Sequence, residues 1–125
     1  MKYFISGHRN LGQELFNKYY VPEIERVLEK DPWCEFVIGD YEGVDLMAQT
    51  YLKDYPEKVT VYHMFTSPRN LASDEFRLRG GFKSDEERDA TMTSDSDQDI
   101  AYVLPGRRDS GTAQNIVRRR EIKKE

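Results

Sequence analysis

The sequence contains almost none of the side chains that cross-link or metallate a small protein. Its 125 residues include one cysteine, Cys34, and two histidines, His8 and His63. One cysteine excludes an intramolecular disulfide and is typical of a reducing compartment, so we predict a cytoplasmic protein. Because no set of cysteines and histidines is available, we predict no metal site and no cofactor. Cys34 follows Trp33 at the start of an apolar run and is expected to be a small core residue.

Long apolar runs are missing as well. No stretch approaches the ~20 apolar residues of a membrane-spanning helix, and the N-terminus leads into the apolar residues 3–5 without a signal peptide. The net charge of −4 gives no general attraction to nucleic acid. We therefore expect neither a membrane nor a nucleic acid as a partner. A basic cluster ends the chain, and we expect it to be solvated on the last helix, with a polyanion-binding tail as the alternative. It comprises Arg118, Arg119, Arg120, Lys123 and Lys124.

What the chain does contain is an alternation of strand-like and helix-like segments. Short apolar runs predict strands at residues 3–5, 33–38, 59–64 and 100–104. Apolar residues at helical spacing lie between the first three runs. This order implies right-handed crossovers and a parallel sheet covered on both faces. We predict a single α/β domain with a short, mainly parallel sheet of about four strands flanked by helices.

Two local patterns bear on helix boundaries. Pro22 either breaks the first helical segment or occupies the first turn of a second helix. Ser84 followed by Glu87 is a capping-box pattern, in which Ser84 accepts from the amide of Glu87 and the Glu87 carboxylate reaches back. This pattern predicts a helix that continues to Met92.

Residues 65–83 follow neither period and are predicted to be irregular. A loop of this length is usually functional or partly disordered. We predict a lid that orders on a bound ligand, with Gly80 and Gly81 as its hinge. In the alternative, the apolar side chains of the segment pack against the core: Phe65, Leu71, Phe76 and Leu78.

Three glycine-containing turns, at residues 6–9, 39–43 and 105–112, each follow a predicted strand and precede a helix. In an open parallel sheet such turns meet at the carboxyl edge, where ligands collect. Helix N-termini there present unpaired amides, which favour anions. In the last turn Gly111 allows a phosphate to approach the backbone, and Ser110 and Thr112 add hydroxyl groups. The alternative is structural: Ser110 caps the helix and Gly106 provides turn geometry.

Four short motifs occur in order along residues 3–119. They are Ile5-Ser6-Gly7-His8-Arg9, Gly39 with Gly43-Val44-Asp45, Arg88-Asp89 with Met92, and Pro105-Gly106 with Gly111-Thr112. Together they resemble the SLOG superfamily, most closely its YspA/YpsA-like branch, and more distantly LOG-type nucleotide phosphoribohydrolases and nucleoside deoxyribosyltransferases. The resemblance implies a Rossmann-like sheet, a nucleotide or nucleotide-derived ligand, and a phosphate held on the last loop. Residues 120–125 are then the basic end of the last helix.

The chain departs from the family pattern in two places. An insertion at residues 107–110 replaces the second glycine of the family's last loop. Where nucleotide-cleaving relatives carry a glutamate, this chain has Asn115. A glutamate can act as nucleophile or general base, whereas an amide can do neither. Asn115 either bonds ribose hydroxyls or bonds nearby backbone in the first helical turn.

Arginine binds phosphate through two hydrogen bonds, which makes Arg9 and Arg88 candidate phosphate ligands. Arg88 lies among acidic residues, so a surface ion pair is its alternative. Asp45 either bonds a ribose or caps a helix, and His8 either bonds the ligand or is solvated. The predicted ligand set is Ser6, Gly7, Arg9, Gly39, Asp40, Gly43, Asp45, Arg88, Gly106, Ser110, Gly111, Thr112 and Asn115.

These observations favour a module that senses or sequesters a nucleotide or nucleotide-like phosphorylated ligand. The second hypothesis is an enzyme that hydrolyses or transfers at the N-glycosidic bond of a nucleoside monophosphate, with Asp40, Asp45 or Asp89 as the carboxylate. The third is a protein-interaction module in which the glycine turns are only structural. A narrow sheet leaves an edge or apolar helix faces to cover, which also predicts a homo-oligomer.

Overall fold

The computed structural model describes residues 1–124, and its strands form one five-stranded sheet in which every pairing is parallel. The strands are Lys2–Ser6 (β1), Glu35–Gly39 (β2), Val59–Met64 (β3), Arg77–Phe82 (β4) and Gln98–Ala101 (β5). Their order across the sheet is β4-β3-β2-β1-β5. The predicted α/β class and parallel sheet are therefore confirmed, and the architecture is Rossmann-like.

Helices connect most of the strands and cover both faces of the sheet. They are Gln13–Tyr19 (α1), Val21–Lys30 (α2), Val44–Tyr51 (α3), Asp85–Asp95 (α4) and Gly111–Lys124 (α5), and a short 3-10 turn at Pro56–Lys58 precedes β3. Pro22 lies in the first turn of α2, as one of its two predicted placements requires. Within the part of the chain that the structure describes, no helix combines the length and apolarity needed to cross a membrane.

The capping box at the start of α4 is present with one difference. The Ser84 hydroxyl accepts from the amide of Glu87 at 3.1 Å. The Glu87 carboxylate reaches back to the amide of Lys83 at 3.3 Å, one residue earlier than the pattern predicts. The helix continues past Met92 to Asp95.

Two apolar clusters lie on opposite faces of the sheet because side chains alternate along each strand. Ile5, Ile38 and Val61 belong to the larger cluster, which also contains Phe16 from α1 and Ala48 from α3. The smaller cluster holds neighbouring strand residues together with a side chain from α4: Phe4, Val37, Tyr62, Met64, Phe82 and Met92. Cys34 is buried in the larger cluster, as predicted for a core residue.

The sheet has five strands where about four were predicted, because β4 lies within the segment predicted to be irregular. Only Phe82 of this edge strand is buried, so its sequence shows no apolar alternation. Gly80 lies beside the ring of His63, and a Cβ at this position would overlap that ring. The glycine therefore makes room for packing inside a strand, and the hinge predicted at Gly80 and Gly81 is wrong.

The loop between β3 and β4, residues 65–76, is bound to the rest of the fold through its middle. The amide of Arg69 donates to Asp40 at 2.9 Å, and the amide of Ala72 donates to Gln49 at 2.9 Å. The side chain of Asn70 donates to the carbonyl of Asp40 at 3.0 Å. These anchors are those of a fixed loop rather than of a lid.

The predicted packing alternative for this segment is right in part. Phe76 is buried and Leu71 packs against the larger cluster. In contrast, Phe65 is 63% exposed and Leu78 is 47% exposed. The two exposed side chains are consistent with positions on a turn and on an edge strand.

The C-terminal part of the chain differs from prediction in two ways. The last strand is Gln98–Ala101 rather than residues 100–104, because it pairs with β1 from Tyr3 onward. Arg119 is buried and donates to the carbonyl of Ser96 at 2.7 Å and to Asp99 at 3.1 Å, so the expectation that it is solvated is wrong. Helix α5 runs on through residue 124, and Glu125 lies outside the described residues. Self-association stays a prediction.

Candidate functional site

The candidate site lies where the strand order of the sheet reverses. β1 pairs with β2 on one side and with β5 on the other, which opens a crevice at the carboxyl ends of β1 and β5. A cavity of about 320 Å³ occupies this crevice. It lies between the turn after β1, the start of α5 and one side of α4. Its volume is at the lower end of the range for small-molecule sites, about 300–1,000 Å³.

Most of the predicted ligand residues line this cavity, but some do not. Those on its wall are Ser6, Gly7, Arg9, Asp45, Arg88, Ser110, Gly111, Thr112 and Asn115. The structure does not bring Gly39, Asp40, Gly43 or Gly106 to the cavity wall. Asp40 is fully buried, and the two neighbouring glycines serve the packing around the site.

The first turn of α5 faces the cavity with part of its backbone unbonded. The Ser110 hydroxyl accepts from the amide of Ala113 at 3.2 Å, and the Ser110 carbonyl accepts from Gln114 at 3.0 Å. Ser110 therefore caps the helix, as the structural alternative predicts. The amides of Gly111 and Thr112 come before the first intrahelical bond, which leaves them for a ligand or solvent. A Cβ at Gly111 would meet nothing within 4 Å.

Ser6 is the polar residue at the bottom of the cavity. It ends β1 and is 5% exposed. Within residues 1–124 its hydroxyl oxygen has no hydrogen-bond partner. A buried hydroxyl without a partner costs about 1–3 kcal/mol, and native proteins normally satisfy such groups. Ser6 lines the cavity, so this hydroxyl is a donor beside it that the described residues leave without an acceptor.

His8 holds the last loop in place and is not solvated, so that part of its prediction is wrong. Its Nε2 accepts from the amide of Leu104 at 2.9 Å, which requires the neutral ring with its proton on Nδ1. Burial lowers the pKa of His8, and the charge of Arg107 lowers it further. A neutral His8 thus ties the turn after β1 to the chain that follows β5.

Arg88 is buried and its guanidinium is already bound by carboxylates. Its Nη1 donates to Asp40 at 2.7 Å, while Nε and Nη2 donate to Asp89 at 3.1 and 2.8 Å. Burial alone would lower its pKa, but the charges of Asp45 and Asp89 raise the value. Although Arg88 lines the cavity, three of its five N–H groups already donate to Asp40 and Asp89, and its role as a phosphate ligand stays a prediction.

Asp40 is the anchor behind this wall. Burial opposes its ionisation, but hydrogen bonds from Arg69 and the charges of Arg69 and Arg88 lower its pKa below the ordinary value. Arg69 contacts both of its oxygens, at 2.9 and 3.2 Å from the side chain. Asp40 therefore fixes Arg88 from behind and connects the β3–β4 loop to the site.

Asp45 presents a carboxyl group to the cavity in the first turn of α3. Its Oδ2 accepts from the amide of Tyr41 at 3.1 Å, and the helix has no side-chain cap, so the predicted capping role is wrong. Burial raises the pKa of Asp45 to about 7, Arg88 lowers it and Asp89 raises it. Asp45 therefore exchanges its proton near neutral pH.

Two glycines allow the side chains and backbone of the site to lie close together. A Cβ at Gly39 would lie 2.5 Å from Oδ2 of Asp45 and 2.9 Å from Cζ of Arg88, so only glycine leaves room for both. Gly43 has a φ of 77°, and a Cβ there would overlap the backbone of Arg9. These residues support the site without lining it.

The outer rim combines cations with an aromatic ring. Nη1 of Arg9 donates to the hydroxyl of Tyr41 at 3.1 Å, and the guanidinium of Arg69 lies 4.8 Å from the centre of the Tyr41 ring. Arg107, from the insertion in the last loop, also lines the cavity. Because carboxylates already bind Arg88, Arg9 and Arg107 are the other cations of the wall to which an anion could bind.

Asn115 does not bond the nearby backbone, so that one of its two predicted contacts is wrong. Its Nδ2 donates to Oδ2 of Asp89 at 3.1 Å, and its oxygen accepts from Arg118 at 2.6 Å. The amide thus bonds side chains of α4 and α5, and the predicted bond to ribose hydroxyls stays a prediction.

Several cavity residues were not in the predicted ligand set: Phe4, His8, Tyr41, Asp85, Asp89 and Arg107. Helical spacing provides a signal for the two acids of α4, since Asp85 and Asp89 lie four residues apart and so share one side of the helix, and Asp85 lies three residues before Arg88. The sequence carries no comparable signal for Phe4 or Tyr41. Among the described residues, no group of three or more His, Cys, Asp or Glu side chains is arranged to hold a metal ion.

Fold and site together define a Rossmann-like α/β protein with a polar cavity at the switch point of its sheet. Comparison of the chain with protein-family models, curated proteins and solved structures gives no match. The resemblance to the SLOG superfamily therefore stays a prediction, and the function is inferred from the site.

Proposed function

We propose that the cavity binds a nucleotide or nucleotide-like phosphorylated ligand, whose phosphate occupies the space between Ser6 and the start of α5. The observation that carries this proposal is the Ser6 hydroxyl, which is buried without a partner among the described residues. It lines the same cavity as the unbonded amides of Gly111 and Thr112. A helix N-terminus supplies donors and partial positive charge, and the Ser6 hydroxyl adds one more donor that the described residues leave without an acceptor.

The other residues of the wall fall into two groups: cations for the charge of the ligand, and side chains for its sugar or base. Arg9 and Arg107 supply cations at the rim, from which they would attract the phosphate held between Ser6 and the start of α5. Asp45 offers a carboxyl group of the kind that bonds ribose hydroxyls, and Tyr41 offers an aromatic side chain for a base. The cavity volume of about 320 Å³ favours a mononucleotide over a dinucleotide.

The Ser6→Ala variant tests the proposal with two results of opposite sign. Removing a buried, unpartnered hydroxyl should stabilise the ligand-free protein by up to about 1 kcal/mol. The same change should weaken binding of the monophosphate that gives the largest thermal shift in a panel of nucleoside monophosphates. A ligand at 100 times its dissociation constant adds about 2.7 kcal/mol of stability, which such a screen detects.

Gly111→Val provides the steric version of this test. The valine side chain would enter the open space beside the first turn of α5, so it should abolish the thermal shift at little cost in stability. Gly12→Val is the matched control, because Gly12 lies just before α1 and likewise has nothing within 4 Å of an added Cβ, but does not line the cavity. Normal binding by Gly111→Val would show that the phosphate site is misplaced.

A second candidate function, cleavage or transfer at an N-glycosidic bond, rests on Asp45. A carboxyl group with a pKa of about 7 on a cavity wall suits general acid–base chemistry at neutral pH. Asp89 is less suited because both of its oxygens accept hydrogen bonds, and Asp40 does not reach the wall. Incubation with each nucleoside monophosphate, followed by chromatography for free base, distinguishes turnover from binding alone.

A further inference from the structure

Asp45 differs from the other carboxylates on the cavity wall in its partners. Asp85 accepts from Arg69 at 2.6 Å, and Asp89 accepts from Arg88 and Asn115. Within residues 1–124 Asp45 makes no ion pair, and its one hydrogen bond comes from the amide of Tyr41 at 3.1 Å through Oδ2. Its Oδ1 is left without a donor on the side of the cavity.

The charged groups around Asp45 produce little net positive potential at its carboxyl group. From α4, Arg88 attracts it and Asp89 repels it, and Asp40 at the end of β2 repels it as well. The Arg88 cation is itself shared with Asp40, Asp85 and Asp89. The phenol of Tyr20, whose pKa is raised chiefly by burial, also lies close enough to interact with Asp45.

The other elements that border the cavity contribute cations at its rim and neutral groups near its floor. Arg9 and Arg107 are exposed cations at the rim, while the buried ring of His8, whose Nε2 accepts from the amide of Leu104, is neutral. A phosphate dianion held by Ser6 and α5 would thus add negative charge to the wall near Asp45. Several carboxylates there already share the guanidinium group of Arg88.

We propose that Asp45 takes up one proton from solvent when a phosphorylated ligand fills the cavity, so that binding is coupled to protonation. This inference rests on the proposed function. The proton goes to Oδ1, because Oδ2 accepts from the amide of Tyr41. The neutral carboxylic acid no longer repels the phosphate, and its O–H donates to a ligand oxygen where the carboxylate only accepts.

Linkage gives the size of the effect. Burial raises the pKa of Asp45 to about 7, so below that pH the proton is already present and affinity does not change through this group. Above it, and up to the pKa of Asp45 in the ligand-bound protein, each unit of pH should weaken binding about tenfold, because one proton must be taken up for each ligand bound. Asp45→Asn carries a neutral side chain at every pH, so its affinity should not fall in this way.

The test uses sulfate as the probe, because sulfate is a dianion over the whole pH range and its own titration does not interfere. The carboxyl ¹³C resonance of Asp45 is followed against pH in sodium chloride and in sodium sulfate at matched ionic strength. We expect the midpoint to rise by roughly half a pH unit or more in sulfate. The buried carboxyl of Asp99, whose pKa burial raises and which pairs with Arg119 away from the cavity, is an internal control that should not move.

The backbone amide resonance of Gly111 reports occupancy in the same samples and separates the possible failures. If this amide responds to sulfate and the Asp45 midpoint stays fixed, proton coupling is wrong and the anion site stands. If neither sulfate nor any nucleoside monophosphate moves the Gly111 amide, the proposed function fails and proton coupling fails with it. A thermal shift by sulfate that declines with pH in the wild type and not in Asp45→Asn is the supporting result.

Discussion

Replacing Asp45 with asparagine should flatten the pH dependence of stability in the neutral range. Burial raises the pKa of Asp45 from an ordinary 3.8 to about 7 in the folded chain. A carboxyl group whose folded pKa is raised contributes stability that is complete below about pH 4 and is lost as the pH rises to about 7. Asparagine has no proton to release, so the variant avoids this loss.

The magnitude follows from the two pKa values. Between about pH 5 and about pH 8, a rise from 3.8 to about 7 should cost the wild type about 2.5 kcal/mol that the variant retains. With a urea dependence of about 1–3 kcal/mol per molar for a domain of this size, the gap between the unfolding midpoints should widen by about 1–2 M. A difference in stability that the amide causes equally at every pH cancels, because the comparison is between the slopes of the free energy of unfolding against pH.

Equilibrium urea unfolding at a series of pH values measures this slope. Asp54→Asn is the control, because Asp54 is exposed and removal of its charge should leave the slope unchanged. Parallel curves of stability against pH for the wild type and Asp45→Asn across the neutral range would refute the argument. They would mean that the pKa of Asp45 in the folded protein is not raised.

Gly43→Ala should destabilise the protein by about 2–4 kcal/mol in urea unfolding, because Gly43 has a φ of 77° and a Cβ would overlap the backbone of Arg9; a loss below about 1 kcal/mol would contradict the geometry. Arg9→Ala should weaken binding of a nucleoside monophosphate about tenfold more than binding of the matching nucleoside, as measured by calorimetry; equal losses would remove Arg9 from the phosphate site. In hydrogen exchange, the amides of Arg69 and Ala72 should be protected without any ligand, because they bond Asp40 and Gln49; fast exchange there would restore the lid that the sequence predicts.

The buried strands could be predicted from sequence because burial on both faces produces continuous apolar runs. In β1 every residue after Lys2 is buried, and β3 is buried at all but one position. β4 escapes the same reasoning since an edge strand with five exposed residues need not carry any apolar pattern. Its Gly80 has a packing role that depends on His63, a residue of the neighbouring strand, and only the assembled sheet shows it.

The location of the site could be predicted for a different reason: in a parallel sheet, connectivity alone brings the turns to one edge. The pairing of charges within it could not. Asp40, Arg69 and Arg88 come from a strand end, a loop and a helix, and no spacing in the sequence links them. The sequence therefore indicates Arg88 as a cation near the site but not that carboxylates already bind its guanidinium group.

Asn115 shows how the location of the site and the pairing of charges within it depend on each other. The family resemblance implies a glutamate at this position in nucleotide-cleaving members, whereas here the amide Nδ2 donates to Asp89 at 3.1 Å. A carboxylate at 115 would bring two negative oxygens together in a buried place, where one of them would have to hold a proton. Asp89 in turn binds Arg88 through its other oxygen, and Arg88 binds Asp40. The amide at 115 thus suits the charge network behind the cavity, and the carboxyl group on the wall without an ion pair among the described residues is Asp45 of α3.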